Sequence, residues 1–260
     1  MSANPKRESA VLVLNDGEVF EGEMTGASTD VVATGEVVFN TALSGYQEII
    51  TDPSYAGQMI AFTYPHIGNY GTNPEDNEAA APACRGVIVR DLARRHSNWR
   101  ADESLDDFLD RHGIAAISGI DTRRLTRHLR DHGAVPGAFG TDEATVRAAA
   151  NSSQSTDGID MVASVTTPAA YSAGDPDAPF HVIAYDFGIK RTILRHLASA
   201  GCRVDVVPAS TDAAEVIERR PDGIFLSNGP GDPAAVVGAA DAVRDLVGSG
   251  IPIFGICLGH

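Results

Sequence analysis

The sequence predicts an α/β protein in which an N-terminal mixed α+β domain precedes a doubly wound parallel sheet. Hairpin-like segments fill the first half, whereas short apolar strands alternate with helices after residue 180. Between them lies a weakly patterned stretch rich in Ser, Thr, Ala, Asp and Pro. We therefore predict domains at 1–150 and 180–260, joined by an exposed linker at 151–179.

The first half begins with a predicted β-hairpin. VLVLNDGEVFEGEM (11–24) reads as two strands joined at Asn15-Asp16-Gly17, a strong short-hairpin signal. Asp52-Pro53 indicates a turn further on. Asp121 and Gly133 are suited to begin and end a helix. The further elements predicted here are strands in GEVVFNT (35–41) and QMIAFTYP (58–65), and helices in LDDFLDRHG (105–113) and DTRRLTRHLRDHG (121–133).

The second half alternates strand and helix. Its predicted strands are HVIAYDFG (181–188), CRVDVVPA (202–209), DGIFLS (222–227) and IPIFGI (251–256), and its predicted helices lie in IKRTILRHLASAG (189–201), TDAAEVIERR (211–220) and DPAAVVGAADAVRDLVGSG (232–250). This pattern predicts a parallel sheet with helices on both faces. Ligands of such sheets bind beyond the carboxyl ends of the strands, so the loops there are the ones to search.

Composition excludes several classes of protein. The formal charge of −15, from 20 basic and 35 acidic residues, disfavours binding to nucleic acid. Lysine occurs only at Lys6 and Lys190, which favours adaptation to high salt over an ordinary acidic protein from a GC-rich genome. No apolar run is long enough to span a bilayer, and the polar start MSANPKRES has no signal-peptide core. We therefore expect a cytoplasmic protein with no membrane partner.

Cysteine and histidine usage argues against a metal centre or a disulfide framework. Cys84, Cys202 and Cys257 are far apart and form no CxxC pair. Among the eight histidines only His128 and His132 have the HxxxH spacing, and no HExxH run occurs, so no metal site is predicted.

The last strand ends in a G-x-C-x-G turn around Cys257. Such a turn lifts the central side chain out of the sheet at the start of a helix, whose N-terminus favours the thiolate. The backbone amide of Leu258 would then face an oxyanion formed when Cys257 attacks a carbonyl group. A buried structural cysteine after a core strand is the alternative.

A second loop, SNGPGDP (227–233), follows the preceding strand at the same predicted edge. Its glycines allow backbone amides to approach a ligand, but Pro230 and Pro233 remove two donors, which makes it a poor phosphate cradle. It is better suited to an oxyanion or to the amino and carboxylate groups of a small ligand. A rigid turn without a ligand is the alternative.

SNGPGDP followed about two dozen residues later by FGICLGH resembles the class I glutamine amidotransferase domain. Three further segments narrow this resemblance to the small subunit of carbamoyl-phosphate synthase. They are GEVVFNTALSGYQEIITDPSYAGQMIAFTYPHIGNYG, GIDTRRLTRHLR and FHVIAYDFGIKRTILRHL. The resemblance covers the chain from about residue 10 to His260.

The resemblance implies hydrolysis of L-glutamine to glutamate and ammonia, with Cys257 as the nucleophile that forms a glutamyl thioester. Leu258 and a glycine of the 229–231 loop would supply oxyanion-hole amides, while Ser54, Gly229 and Gly231 would hold the substrate. Ammonia would pass to a large subunit that uses ATP, Mg and bicarbonate to make carbamoyl phosphate for arginine and pyrimidine synthesis. No cofactor is expected in this chain.

Three other places remain open between a functional and a structural role. Asp186 and Lys190 lie at the end of the first strand of the second domain, so they face its functional edge. The structural alternative for this pair is a helix cap with a nearby surface charge. Arg123 and Arg124 could bind an anion or the partner subunit, although an ordinary basic helix face is the simpler interpretation. His260 lies three residues after Cys257, but in the family a histidine here belongs to the elbow motif and is not the base.

The sequence departs from the family pattern at its end. The triad His and Glu come later in the family, in an HPE-type motif, and a Gln after GICLGH that binds substrate is also absent from these 260 residues. We expect this chain alone to hydrolyse glutamine poorly and to be marginally stable, with the domain incomplete at its C-terminal end. The alternatives are a non-catalytic fragment that binds the large subunit and, with less support, a cysteine hydrolase of the α/β-hydrolase type.

Overall fold

The computed structural model describes residues 8–27 and 32–260. Most of the polar start MSANPKRES therefore lies outside the described residues. The chain divides into two compact units. The first comprises Met1–Thr51 and Gly57–Ser155, and the second comprises Asp52–Ala56 and Thr156–His260.

The first unit is built on a closed β-barrel. Its strands are β1 (Ser9–Leu14), β2 (Val19–Gly26), β3 (Ala33–Asn40), β4 (Gln58–Phe62), β5 (His66–Ile67), β6 (Gly86–Ile88), β7 (Asp91–Leu92), β8 (Ala115–Ser118) and β9 (Val135–Gly140). The barrel order is β1-β2-β8-β6-β4-β3-β9, and β5 pairs with β7 alone. Three barrel pairs are parallel: β3 with β4, β4 with β6, and β6 with β8. The other four barrel pairs are antiparallel.

Local signals in the first unit behave as predicted. The β1–β2 hairpin turns at Gly17, whose φ of +97° suits a residue without a Cβ. The Asp121 side chain accepts a hydrogen bond from the Arg124 amide at 2.9 Å and starts a helix that ends before Gly133. The helices of this unit are α1 (Tyr46–Ile50), α2 (Leu105–Arg111), α3 (Thr122–His132) and α4 (Glu143–Ser152).

The second unit is the predicted parallel sheet. Its strands are β10 (Tyr171–Ala173), β11 (Phe180–Asp186), β12 (Cys202–Pro208), β13 (Gly223–Leu226) and β14 (Ile253–Gly255), and its helices are α5 (Arg191–Ser199), α6 (Ala213–Glu218) and α7 (Ala239–Gly248). The order is β10-β12-β11-β13-β14, with only β10 antiparallel to its neighbour. Leu194 of α5 packs in one core cluster, while Val216 of α6 and Leu246 of α7 pack in another. Helices therefore cover both faces, which confirms the doubly wound prediction.

The stretch expected to be a linker at 151–179 is more structured than its composition indicates. Helix α4 extends into it through Ser152, and β10 pairs with β12 as an edge strand of the sheet. The Ser172 hydroxyl donates to the Asp205 carboxylate at 2.7 Å and Ala173 packs against a core cluster, so this short segment joins the sheet mainly by strand pairing. The helix predicted over 232–250 is confined to α7, because Gly238 has a φ of +77° and begins it.

Candidate active site

Two loops leave neighbouring parallel strands at one edge of the second unit's sheet. Strands β13 and β14 pair in parallel, with Leu226 opposite Gly255. Beyond them, the Gly259 amide donates to the Ser227 carbonyl oxygen at 3.1 Å. The turn around Cys257 and the SNGPGDP loop therefore touch, as the sequence predicts for loops at carboxyl ends of adjacent strands.

The turn places Cys257 in a backbone conformation that few residues with a Cβ adopt. Its φ is +54°, and its side chain is exposed. A Cβ on Gly255 would lie 2.3 Å from the Gly259 carbonyl oxygen, and one on Gly259 would lie 2.2 Å from that of Leu226. Only glycine fits at both positions, so the G-x-C-x-G spacing is a steric requirement of this turn. Such local strain is a feature of nucleophile elbows.

The residue after the cysteine offers a backbone donor. Within the described part of the chain the Leu258 amide donates no hydrogen bond, while its side chain packs against the core cluster beneath the sheet. Cys257–Gly259 forms a 3-10 turn. The Leu258 amide is thus a local donor for an oxyanion.

The SNGPGDP loop is held by its first two side chains. The Ser227 hydroxyl accepts from the Phe187 amide at 2.9 Å and donates to the Asn228 carbonyl oxygen at 2.7 Å. The side-chain amide of Asn228, which is 3% exposed, donates to the Gly188 carbonyl oxygen at 2.8 Å and accepts from the Lys190 amide. The loop is therefore tied to the turn that follows β11.

Gly229 and Gly231 differ in their surroundings. Gly229 is buried, and a Cβ there would lie 2.2 Å from the Phe187 carbonyl oxygen. Gly231 is exposed with a φ of +77°, where a side chain would be strained. The rigid-turn interpretation of the loop accounts for both glycines, and the contact of this loop with the elbow is made by Ser227.

Ser54 belongs to the second unit and reaches the same loop. The Asn228 side-chain amide donates to the Ser54 hydroxyl oxygen at 3.0 Å. The Ser54 amide donates to Asp52 at 2.9 Å, and the Lys190 ammonium lies 3.3 Å from the other oxygen of that carboxylate. Because Asn228 donates to the hydroxyl oxygen, the hydroxyl hydrogen of Ser54 remains available to donate to a ligand.

Asp186 has a structural role. Its carboxylate is 5% exposed and accepts hydrogen bonds from the amides of Gly188, Ile189 and Thr167 at 2.8–2.9 Å. These bonds fix the turn between β11 and α5 and use both carboxylate oxygens. Asp186 therefore holds the turn and is not the helix cap that the sequence offered as an alternative, because the N-cap of α5 is Lys190, whose ammonium pairs with Asp52.

The remaining sequence candidates lie elsewhere or at the chain end. Arg123 and Arg124 are on α3 of the first unit, where the Arg124 guanidinium lies 3.9 Å from the Phe20 ring centroid and donates to the Val19 carbonyl oxygen. The His260 amide donates to the Cys257 carbonyl oxygen at 2.9 Å, and its side chain is exposed.

Sequence reasoning did not single out Asn228 or Asp52. Both stand beside residues that it did choose, and the Asp-Pro dipeptide was interpreted only as a turn. Their signal is an amide directly before Gly229 and a carboxylate two positions before Ser54, both predicted substrate-binding residues. The contact between them required the fold, because 176 positions separate the two residues.

Neither a metal centre nor a membrane-spanning helix is found in the described ranges. Over residues 8–27 and 32–260, no group of three or more His, Cys, Asp or Glu is arranged to hold a metal ion. In the same ranges no helix is both long enough and apolar enough to cross a membrane.

Comparison with known proteins assigns the class of this site. The profile described as glutamine amidotransferase class-I matches residues 183–260, and that described as carbamoyl-phosphate synthase small chain, CPSase domain, matches residues 12–139. The second unit is thus a class I glutamine amidotransferase domain, which removes the α/β-hydrolase alternative.

Full-length relatives narrow the assignment. The carbamoyl phosphate synthase small chain of a Synechococcus strain is 50% identical over 98% of this chain and 68% of its own length. The small chain of Thioalkalivibrio sulfidiphilus is 50% identical over 96% of this chain and 70% of its own length. That of Vibrio vulnificus is 47% identical over 97% of this chain and 71% of its own length. This chain belongs to the carbamoyl-phosphate synthase small-chain family.

A solved aminopeptidase from Aneurinibacillus sp. strain AM-1 aligns with a TM-score of 0.30 and 12% identity, over 86% of this chain and 57% of its own. This similarity is too low to support a shared fold.

Proposed function

We propose that this chain is the glutaminase subunit of a carbamoyl-phosphate synthase, with Cys257 as its nucleophile. The observation that carries the proposal is the exposed Cys257 at positive φ, on a turn whose two glycines admit no side chain. A thiol on a strained strand-to-helix turn is suited to covalent catalysis.

The proposed reaction begins when the Cys257 sulfur attacks the side-chain amide carbon of L-glutamine. The carbonyl π electrons move to oxygen, and the amide of Leu258, with one of the 229–231 loop, stabilises the oxyanion. Collapse expels the nitrogen, which takes a proton and leaves as ammonia. Water then cleaves the glutamyl thioester to give glutamate and restore the thiol. The family resemblance assigns the general base to the HPE-type motif that follows the elbow.

Substrate recognition is assigned to the loop network. The Ser54 hydroxyl, oriented by Asn228, would donate to the substrate, and the exposed backbone at Gly231 would contact its amino or carboxylate group. The ammonia would pass to a large subunit, which binds ATP and Mg and makes carbamoyl phosphate from bicarbonate. No cofactor is assigned to this chain.

A glutamine analogue in which a chloromethyl ketone replaces the side-chain amide tests the site directly. We expect intact-mass and peptide analysis to find one adduct, on Cys257, as the sulfur displaces chloride. L-Glutamine should protect the thiol, D-glutamine should not, and Cys257→Ser should remain unlabelled. A chloromethyl ketone without the amino and carboxylate groups is the matched control. Equal labelling by both reagents without protection would mean that the thiol is merely accessible.

The catalytic role is tested separately in the complex with the large subunit. Carbamoyl phosphate formation is measured with glutamine and with ammonium as the nitrogen source. We expect Cys257→Ser to abolish the glutamine-dependent reaction and to leave the ammonium-dependent reaction intact. Unchanged glutamine-dependent synthesis in this variant would contradict the assignment and favour a non-catalytic binding role.

A further inference from the structure

We propose that a groove on the first unit binds small anions that carry two or more phosphate groups, through Arg123, Arg127 and Arg130 of α3. The groove is open, has a volume of about 610 Å³, and is lined by these arginines and by Thr41, Thr63 and Thr126. It is independent of the chemistry proposed for Cys257.

The groove follows from the barrel topology. Thr41 and Thr63 directly follow β3 and β4, which run in parallel with Asn40 opposite Phe62. The Thr63 amide donates to the Asn40 carbonyl oxygen at 3.1 Å, so both threonines lie at the same carboxyl edge. Helix α3 packs against β3 and β4, forming the wall beside this edge.

The arginines form a stripe along that wall. Arg123, Arg127 and Arg130 stand at positions i, i+4 and i+7 and so lie on one helix face, spanning about 10 Å along the axis. All three are exposed. Like charges at i and i+4 destabilise a helix, and an anion bound between Arg123 and Arg127 removes that repulsion.

Charge distinguishes this groove from its neighbourhood. No carboxylate of the described residues lines it, although the chain carries 35 acidic residues. Arg123 and Arg127 also line the adjoining depression on α3, on whose side Glu18, Asp121 and Asp131 lie. Of the stripe, only Arg130 forms an ion pair within the described ranges, to exposed Asp131 at 2.8 Å, and such a pair is weak in water.

The donors select the ligand. Guanidinium groups bind phosphate oxygens through two parallel hydrogen bonds, and hydroxyl groups can add further donors. The hydroxyls of Thr41 and Thr63 have no partner among the described residues, whereas that of Thr126 donates to the Thr122 carbonyl oxygen at 2.6 Å. The stripe is longer than one phosphate, which favours a chain of phosphates. The net charge of −15 repels a long polyanion such as nucleic acid.

Calorimetric titration of the whole chain with inorganic triphosphate tests the proposal. The titration is done in magnesium-free buffer, first at low salt and then at 0.15 M salt. We expect saturable binding that weakens with salt and that is tighter for triphosphate than for phosphate. The double variant Arg123→Gln with Arg127→Gln should bind roughly a hundredfold more weakly, about tenfold for each arginine removed.

Two further variants separate recognition from charge alone. Arg147→Gln removes an exposed arginine of α4 that pairs with Glu143 outside the groove, and it should bind as the unchanged chain does. Arg123→Lys with Arg127→Lys keeps the charge without the paired donors and should bind with intermediate affinity. Thermal melts confirm that each variant is folded. No saturable binding by the unchanged chain, or an equal loss in Arg147→Gln, would overturn the proposal.

Discussion

At the scale of single residues, the reactive turn depends on the glycines on either side of Cys257. Each lies so close to a carbonyl oxygen that a methyl group has no room, so the backbone would have to move. The strained φ of Cys257 is maintained by these contacts and by the Gly259 hydrogen bond to Ser227. The backbone conformation of Cys257 therefore depends on positions that carry no side chain.

Gly259→Ala tests this dependence. Its Cβ would lie 2.2 Å from the Leu226 carbonyl oxygen and 2.7 Å from that of Ser227, so we expect a loss of roughly 1–3 kcal/mol in the free energy of unfolding by urea. Cys257 should also be alkylated at a different rate. Gly248→Ala, at the end of α7 with open space around it, is the control and should be neutral or stabilising. Equal stability of the two variants would contradict the steric argument.

The three cysteines should react in an order set by their surroundings. Burial raises the pKa of the Cys84 thiol to about 12, and the side chain is 3% exposed. Cys257 is exposed and Cys202 is intermediate. In native protein treated with iodoacetamide at pH 8, we expect Cys257 to be alkylated first and Cys84 last, because the thiolate must be both formed and accessible. Peptide mass spectrometry measures the order, and early modification of Cys84 would be inconsistent with the packing.

At the scale of elements, buried polar side chains connect the ends of strands. Asp186 fixes the turn after β11 through three backbone amides, and Asn228 ties the loop after β13 to that turn. Since β11 and β13 are adjacent parallel strands, these two side chains determine the shape of one sheet edge.

Asp186→Ala should leave the amides of Thr167, Gly188 and Ile189 without their acceptor. We expect a loss of about 2–4 kcal/mol in the free energy of unfolding, because buried unpaired donors are costly. Asp232→Ala is the matched control, since that carboxylate is more exposed and, among the described residues, accepts only from the Ala234 amide. Its cost should be about 1 kcal/mol. A smaller effect at Asp186 than at Asp232 would argue against its role in the turn.

The edge strand β10 should add an acid-sensitive contribution to stability. Burial raises the pKa of Asp205 on β12, but hydrogen bonds from Ser172 and His181 outweigh it and hold the pKa below its usual value. A lowered folded-state pKa contributes stability above the unfolded pKa of about 3.9, and this contribution is lost as pH falls through the folded value. Urea unfolding between pH 6 and 3 should show a smaller acid loss in Asp205→Asn than in the unchanged chain. An identical pH dependence of stability in Asp205→Asn and in the unchanged chain would contradict this contribution of Asp205.

At the scale of the whole molecule, the dominant quantity is the net charge of −15. Mutual repulsion of that charge opposes the compact state, and salt reduces it by screening. We expect the urea midpoint to rise with KCl, most steeply below about 0.5 M, where the Debye length shortens most. A midpoint that continues to rise into the molar range would support the adaptation to high salt predicted from the scarcity of lysine. A midpoint independent of salt would contradict both ideas.

The sequence alone determined the features that rest on local chemistry or on long motifs. Turn residues at Asn15–Gly17, the cap at Asp121 and the strand–helix alternation of the second unit are short-range signals, and the structure follows them. The family was also readable, because SNGPGDP and FGICLGH are specific. The place of Cys257 on a tight turn followed from two glycines at fixed spacing.

Only the tertiary structure decided what depends on distant parts of the chain. Closure of the barrel pairs β1 with β9, over a hundred residues apart, and β10 joins its sheet without an apolar pattern that would reveal it. The same is true of the bond between Asn228 and Ser54 and of the threonines and arginines around one groove. Local propensity cannot encode these contacts, because strand pairing and side-chain packing select partners by shape and hydrogen bonding across long sequence separations.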